Sequence, residues 1–317
     1  MSTGVWPKIV VMGSGAVGCY YGGLLARAGA QVTLVARPPH LEALQRDGLE
    51  FEGLRFHGRI QVDTSGDAGA VRGADWVLFA VKSMDTETAA REIAPHLDAR
   101  AIVLGLQNGV DNVERIRAIL HNPIVPAVVY VAVAMKGPGD LRHTGRGDLV
   151  IGPMGGTGHA LRYDEIAATF ERAGVGCRVS DRVEGELWVK LLMNCAYNPI
   201  SALGRSQYKR MAARADVLEV MRAVAHEVLA VAAAAGVALP PGDHVEAACR
   251  LAESMPEATS STAQDLARGR RTEIDHLNGY VVRRGAALGV PTPVNATLHA
   301  LVRLLESSVL ASPPAGA

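Results

Sequence analysis

The stretch that most constrains this chain is residues 8–37, "KIVVMGSGAVGCYYGGLLARAGAQVTLVAR". Lys8–Met12 is a short β-branched run, the kind that forms a strand buried in a parallel sheet. Gly13-x-Gly15-x-x-Gly18 follows at once, then a helical pattern from Val17 to Ala28 closed by Gly29, then a second strand over Gln31–Ala36. A strand, a glycine-spaced turn, a helix and a strand within about 30 residues make a βαβ unit whose first turn accepts a pyrophosphate. The first glycine makes the turn, the second lets the phosphates approach the backbone, and the third lets the helix pack on the strand. The phosphates then rest on the helix N-terminus. Gly13, Ser14, Gly15, Ala16, Val17 and Gly18 are therefore the candidate cofactor-binding residues. A tight turn without a ligand is the bland alternative, and the strand and helix flanking the motif argue against it.

The end of the second strand bears on the choice of cofactor. NAD sites usually place an acid about 20 residues beyond the glycines, where it binds the ribose 2′-hydroxyl. Here the sequence is "VTLVARPPH", with Arg37 and no acid. A guanidinium pairs with a 2′-phosphate, whereas a carboxylate repels it. The expected cofactor is NADP (NADPH), with a solvated loop arginine as the alternative.

Two further buried-strand runs, "ADWVLFAVKS" and "AIVLGLQNGVDN", end in polar clusters at Lys82 and at Gln107-Asn108-Gly109. In an open parallel sheet that edge holds the ligand. Residues 124–153 read as antiparallel strands with Gly-rich turns, followed by the helix "YDEIAATFERAG" and a last strand "VGCRVS". From Asp181 onward long amphipathic or alanine-rich helical patterns take over, with a break or kink expected at Pro199. The expected architecture is an α/β Rossmann-type dinucleotide-binding domain over 1–180 and an all-α domain over 181–317, with a disordered tail from 311.

Composition closes off other classes. Lys+Arg and Asp+Glu are equal at 32 each and aromatics are 4%, so neither nucleic acid nor an anionic membrane is an expected partner. The first apolar run, Ile9–Met12, is too short for an export signal, and no stretch is long and apolar enough to span a bilayer. Cys19, Cys177, Cys195 and Cys249 are far apart, which fits a cytoplasmic protein without a disulfide framework. No metal site is expected: the stretch "AHEVLA" has Ala230 where a zinc-binding motif needs its second histidine. A homodimer is an expectation, since the alanine-rich helices can pack across an interface as well as within the chain.

The stretch "KLLMNCAYNP" sets Lys190, Asn194 and Asn198 four residues apart, on one helical face amid Leu191, Leu192, Met193 and Ala196. A stripe facing water is the bland reading. Glu186, four residues before Lys190, would then make an ordinary surface pair. Glu273 in "RGRRTEID" reads by itself as a solvated face, and Ser261 in "TSSTAQD" reads as a helix N-cap.

With these patterns in order, the chain resembles the ketopantoate reductases (2-dehydropantoate 2-reductases) over almost its whole length. The resemblance rests on the N-terminal glycine motif, "VK", "QNG", "ELWVKLLMNCAYNPISAL" and "SSTAQDLARGRRTEIDHLNGYVVRRGAALGVPTP". It implies an enzyme that reduces ketopantoate to pantoate with NADPH, on the way to pantothenate and coenzyme A, with its site between the two domains. It further implies that Lys190 is the catalytic lysine and Glu273 its acidic partner in the site. Ser261 corresponds to a serine that binds the substrate carboxylate, and Asn194 and Asn198 to asparagines lining the pocket. Asn108 corresponds to the asparagine near nicotinamide and substrate, and Arg37 and Lys82 to cations around the 2′-phosphate. One position departs: many members have a glutamine where this chain has Asp85, and an acid there weakens NADPH binding unless it points away. The rival readings are a reductase of another 2-keto or 3-hydroxy acid on the same frame, and an NADP-sensing module without activity.

Overall fold

The computed structural model describes residues 5–155 and 161–311. The expected disordered tail lies outside the described residues, apart from Ala311. The chain divides into two compact units, Met1–Val183 and Glu184–Ala317.

In chain order the first unit holds β1 (Ile9–Met12), α1 (Ala16–Arg27), β2 (Val32–Val35), α2 (His40–Asp47), β3 (Leu49–Glu52), β4 (His57–Ile60) and β5 (Asp63–Ser65). There follow β6 (Trp76–Phe79), α3 (Thr86–Ile93), β7 (Ile102–Gly105), α4 (Asn112–Arg117), β8 (Ile124–Gly137), β9 (Asp140–Ile151), α5 (Tyr163–Arg172) and β10 (Cys177–Val179). The strands form one sheet in the order β4-β3-β9-β8-β7-β6-β1-β2-β5, with β10 also paired to β9. From β5 through β8 every neighbouring pair is parallel. All four residues of β1 are buried, as are all four of β6, which is why both read as unbroken apolar runs. β8 and β9 form the expected antiparallel pair.

β1 sits between β6 and β2. The chain leaves β1 toward β2 through α1 and later returns to the other side of β1 with β6. The sheet therefore reverses direction of growth beside β1, the point where open α/β sheets bind ligands beyond their strand ends. Apolar side chains on the α1 side of the sheet, among them Tyr21, Leu25, Leu34, Leu49 and Phe170, are fully or almost fully buried.

The second unit is helical among its described residues: α6 (Val183–Leu203), α7 (Tyr208–Ala212), α8 (Ala215–Ala234), α9 (His244–Ser254), α10 (Ser261–Ala267), α11 (Asn278–Leu288) and α12 (Pro293–Ala311). The expected break at Pro199 does not occur, and α6 continues through it to Leu203. The reason lies in one side chain. Proline has no N–H to give to the carbonyl four residues back, and that carbonyl, Cys195 O, accepts from Asn278 Nδ2 at 3.1 Å instead. The same nitrogen reaches Asn295 Oδ1 at 3.0 Å, and Asn295 Nδ2 donates to Glu227 Oε2 at 2.7 Å. Glu227 also accepts from the backbone N–H groups of Val294 and Asn295, capping α12 from a neighbouring helix. No described helix is long and apolar enough to cross a membrane.

Candidate active site

The three glycines of the β1–α1 turn each meet a different surrounding. Gly13 has φ +99°, and a Cβ there would lie 2.7 Å from Val81 N, so the turn and the loop after β6 touch through backbone. A Cβ on Gly18 would lie 2.2 Å from Gly13 O and 2.8 Å from Val11 Cγ1, so α1 packs directly on β1. A Cβ on Gly15 would meet nothing within 4 Å. Gly15 is the N-cap of α1, no side chain caps the helix, and its first turn carries no acid. The first-turn N–H groups and the positive helix end are thus left for an anion, with room before Gly15 for it to approach. Ser14 fixes the turn to the next strand, with Oγ donating to Val35 O at 2.5 Å. Ala16 and Val17 form the start of α1.

His40, in the first turn of α2, ties the loop after β2 to its surroundings. Its Nδ1 accepts from Gly139 N–H at 2.8 Å, which leaves the proton on Nε2, 3.4 Å from Cys19 Sγ. Burial lowers the His40 pKa, and the contact with Ser14 offsets this only in part, so the neutral ring is favoured. Burial also pushes the Cys19 thiol up to about 12, which makes it an inert packing group. All four cysteines are free and buried.

The loops after β6 and β7 are joined by a polar network. Gln107 Nε2 donates to Val81 O at 3.1 Å and to Thr86 Oγ1 at 2.7 Å. Thr86 Oγ1 donates to Asn112 Oδ1 at 3.1 Å, and Asn112 Nδ2 donates to Asn108 O at 2.6 Å. Ser83 Oγ donates to Asn108 O at 3.0 Å. Arg115 closes the cluster, with Nη2 donating to Ser83 O at 2.6 Å and a two-point bond to Glu87. Lys82 and Asn108 are therefore carried on two loops locked to each other at the strand ends. Arg37 and Asp85 also meet at this edge, with Arg37 Nη1 4.0 Å from Asp85 Oδ2. The buried Gln107 Oε1 has no hydrogen-bond partner among the described residues.

In the second unit α6 presents Lys190 and Asn194 as half-buried residues and Asn198 as 3% exposed. Glu186 is only 7% exposed, so an exposed surface pair with Lys190 does not describe this helix. Tyr197 anchors the same turn: its hydroxyl donates to Ala248 O at 2.9 Å and accepts from Ala252 N–H at 3.2 Å. Burial raises its pKa to about 12, so it stays protonated.

The N-cap of α10 is Ser260, whose Oγ accepts from Ala263 N–H at 3.1 Å, and not Ser261, which is exposed. Ser260 Oγ also contacts Asn198 O at 3.2 Å, and Ser260 N–H donates to Ser201 Oγ at 3.1 Å. Ser261 is thereby held one residue beyond a junction with the Asn198 turn. Glu273 is 6% exposed and not on a solvated face. Its segment is fastened to α12: Thr272 N–H donates to Glu306 Oε2 at 2.6 Å, and Asp275 pairs with His299 and Arg303, each at 2.6 Å. Asn278, which supports α6 at Cys195, follows on the same stretch. The segments carrying Ser261 and Glu273 are thus both bonded to the turns of α6 between Cys195 and Ser201.

Sequence reasoning missed Ser260, Asn278 and the Thr86–Asn112–Arg115 cluster. Asn278 had a signal: an internal helical proline requires a donor from elsewhere for the carbonyl it frees. The cluster had none, because its members are scattered over 30 residues of unremarkable polar sequence.

A glycine-turned parallel sheet followed by a helical unit with a lysine–asparagine face defines a two-domain, dinucleotide-binding reductase. Comparison with known proteins narrows this. The family model "Ketopantoate reductase PanE/ApbA" matches residues 9–156, and its C-terminal counterpart matches 182–306. A 2-dehydropantoate 2-reductase of Archaeoglobus fulgidus is 34% identical over 304 residues, covering 95% of this chain and 99% of that one. The crystal structure of a PanE/ApbA family ketopantoate reductase from Ralstonia eutropha JMP134 is 53% identical, with a TM-score of 0.89 over 95% of this chain and 99% of that one. D-mandelate dehydrogenase, solved with NADH and anilino(oxo)acetate, has a TM-score of 0.88 over 95% of this chain and 99% of that one, but at 24% identity it shares the fold alone. The chain belongs to the PanE/ApbA ketopantoate reductase family.

Proposed function

We propose that this chain reduces the 2-keto group of 2-dehydropantoate to pantoate, with NADPH as reductant, in the cytoplasm. Family membership supports the reaction, and the observation that carries the site is α6: one helix face with Lys190, Asn194 and Asn198, continued through Pro199 by the Asn278 bond. The residues of the first unit fit a dinucleotide, because the space before Gly15 and the uncapped start of α1 are what a pyrophosphate needs. When bound, the dinucleotide supplies the hydride to the carbonyl carbon.

The chain's own groups manage position and charge. Gly13, Ser14, Gly15, Ala16, Val17 and Gly18 hold the pyrophosphate, and Arg37 and Lys82 the 2′-phosphate. Asn108 orients the reacting groups. Ser261 receives the substrate carboxylate, and Asn194 and Asn198 bind its polar groups. As negative charge grows on the keto oxygen, the Lys190 ammonium stabilises it and donates the proton that completes the hydroxyl. Glu273 orients Lys190 or accepts a substrate hydroxyl. A homodimer belongs to the same reading.

The test is NADPH consumption with 2-dehydropantoate, for wild type and Lys190→Ala. Activity in wild type with a loss of about 10²–10⁴-fold in the variant supports the assignment. Nucleotide binding without turnover of this substrate would remove 2-dehydropantoate and leave another 2-keto acid, to be found with a substrate panel. Binding with no turnover of any keto acid would leave a sensing module.

A further inference from the structure

The end of β2 carries no acid, but an aspartate from the segment beyond β6 approaches it. Arg37 lies two residues beyond β2, and Asp85 ends the 3-10 turn Ser83–Asp85 beyond β6. β1 runs between β6 and β2, so the Arg37–Asp85 pair reaches over the end of β1, where the glycine turn begins. Asp85 occupies the N-cap position of α3, where an aspartate ordinarily accepts from the helix's first N–H groups. It makes no such bond, and its carboxylate lies 4.0 Å from the Arg37 guanidinium instead. Its N–H donates to Lys82 O at 2.8 Å, and Ser83, two residues before it, is held by its own Oγ bond to Asn108 O and by Arg115 at its carbonyl. The side chains of Arg37 and Asp85 are 78% and 43% exposed, so the pair adds little to stability. Its effect falls on whatever binds at Arg37.

We infer that Asp85 is a specificity-determining residue at the ribose end of the dinucleotide site, and that it brings NADH within reach of a site otherwise built for NADPH. The inference rests on the reading of Arg37 as the 2′-phosphate residue. A 2′-phosphate at Arg37 must displace the Asp85 carboxylate or lie beside it, with like charges a few ångströms apart. A 2′-hydroxyl meets no such repulsion and can donate to the carboxylate, the contact that NAD-binding sheets usually obtain from the end of their second strand. Asp85 thus lowers the advantage that Arg37 gives to the phosphorylated cofactor.

The test is equilibrium titration with NADPH and NADH, without substrate, following nicotinamide fluorescence for wild type, Asp85→Asn, Asp85→Glu and Arg37→Ala. Wild type should bind both, with affinities within about tenfold of each other. Asp85→Asn should tighten NADPH by roughly tenfold and weaken NADH by a few-fold, whereas Asp85→Glu keeps the wild-type ratio. The gain in NADPH affinity should shrink as salt is added. Equal shifts for the two cofactors, or none, in Asp85→Asn would overturn the inference while leaving the proposed function standing. An Arg37→Ala variant that keeps its NADPH preference would remove the 2′-phosphate reading itself, and with it this inference.

Discussion

The β1–α1 turn and helix α6 build function in opposite ways. The turn works through what is absent: Gly15 has no side chain and no neighbour within 4 Å of where one would be, and α1 has no side-chain cap. α6 works through side chains that are present, and it keeps them in place with partners far along the chain, Ser260 and Asn278. A site made from backbone is encoded locally, by glycine spacing. A site made from side chains on a proline-containing helix depends on sequence that is not adjacent.

Single substitutions test that contrast at several points. Lys190→Ala should lower kcat by about 10²–10⁴-fold with little change in NADPH affinity. Steady-state rates and nucleotide titration together check this, and an equal loss of binding would show that Lys190 supports the fold. Gly13→Ala should destabilise the first unit by roughly 2–3 kcal/mol, since it combines a positive φ with a backbone clash. Gly15→Ala should leave the melting temperature nearly unchanged and weaken nucleotide binding at least about tenfold. If the two variants behave alike, the separation of turn-making from ligand approach is wrong.

Asn278→Ala should cost about 1–3 kcal/mol, because Cys195 O and Asn295 Oδ1 lose their buried donor. Replacing Pro199 with Ala in the same chain restores an N–H to Cys195 O and should recover part of that loss. Chemical denaturation of both single variants and the double variant measures the coupling. Simple additivity would mean that Asn278 does not stand in for the missing helix bond.

Asp275→Asn is the smallest case. Burial acts to raise the Asp275 carboxyl, but the bonds from His299 and Arg303 outweigh it and hold the group below its ordinary value. A depressed folded-state pKa gives stability that is complete above the unfolded value, near 3.9, and is lost as pH falls through the folded value. Allowing for partial exposure, the variant should melt about 2–4 °C lower at pH 7. The gap should close as the pH is lowered below the ordinary carboxyl value and through the depressed folded one. A gap that persists in acid would assign the effect to packing and not to charge.

The sequence reached the elements that carry long apolar runs, and it stopped where local signals were weak or shared. β1, β2, β6 and β7 read clearly because their residues are buried on both faces. α2 and β3 to β5 did not. Length does not separate them, but burial does: β3, "LEFE", buries alternate residues, β4, "HGRI", exposes two of its four, and β5, "DTS", buries none fully, leaving no apolar run to detect. Ser260 and Ser261 are adjacent and chemically identical, so only geometry shows which one caps α10. Glu273 sits among arginines that remain exposed while it is buried, and a charged run gives no sign of which member turns inward. The Arg37–Asp85 pair joins loops 48 residues apart in sequence, and its pairing follows from the strand order β6-β1-β2.

The Asn278–Cys195 bond spans 83 residues of chain. A helix turn weakened by proline would normally be the first part of α6 to fray. Here that turn cannot open by itself, because its carbonyl is held by the start of α11. Amide protons around Asn194 and Asn198 should therefore exchange with solvent only when the two segments separate together, which places the polar face of α6 in the slow-exchanging core of its unit.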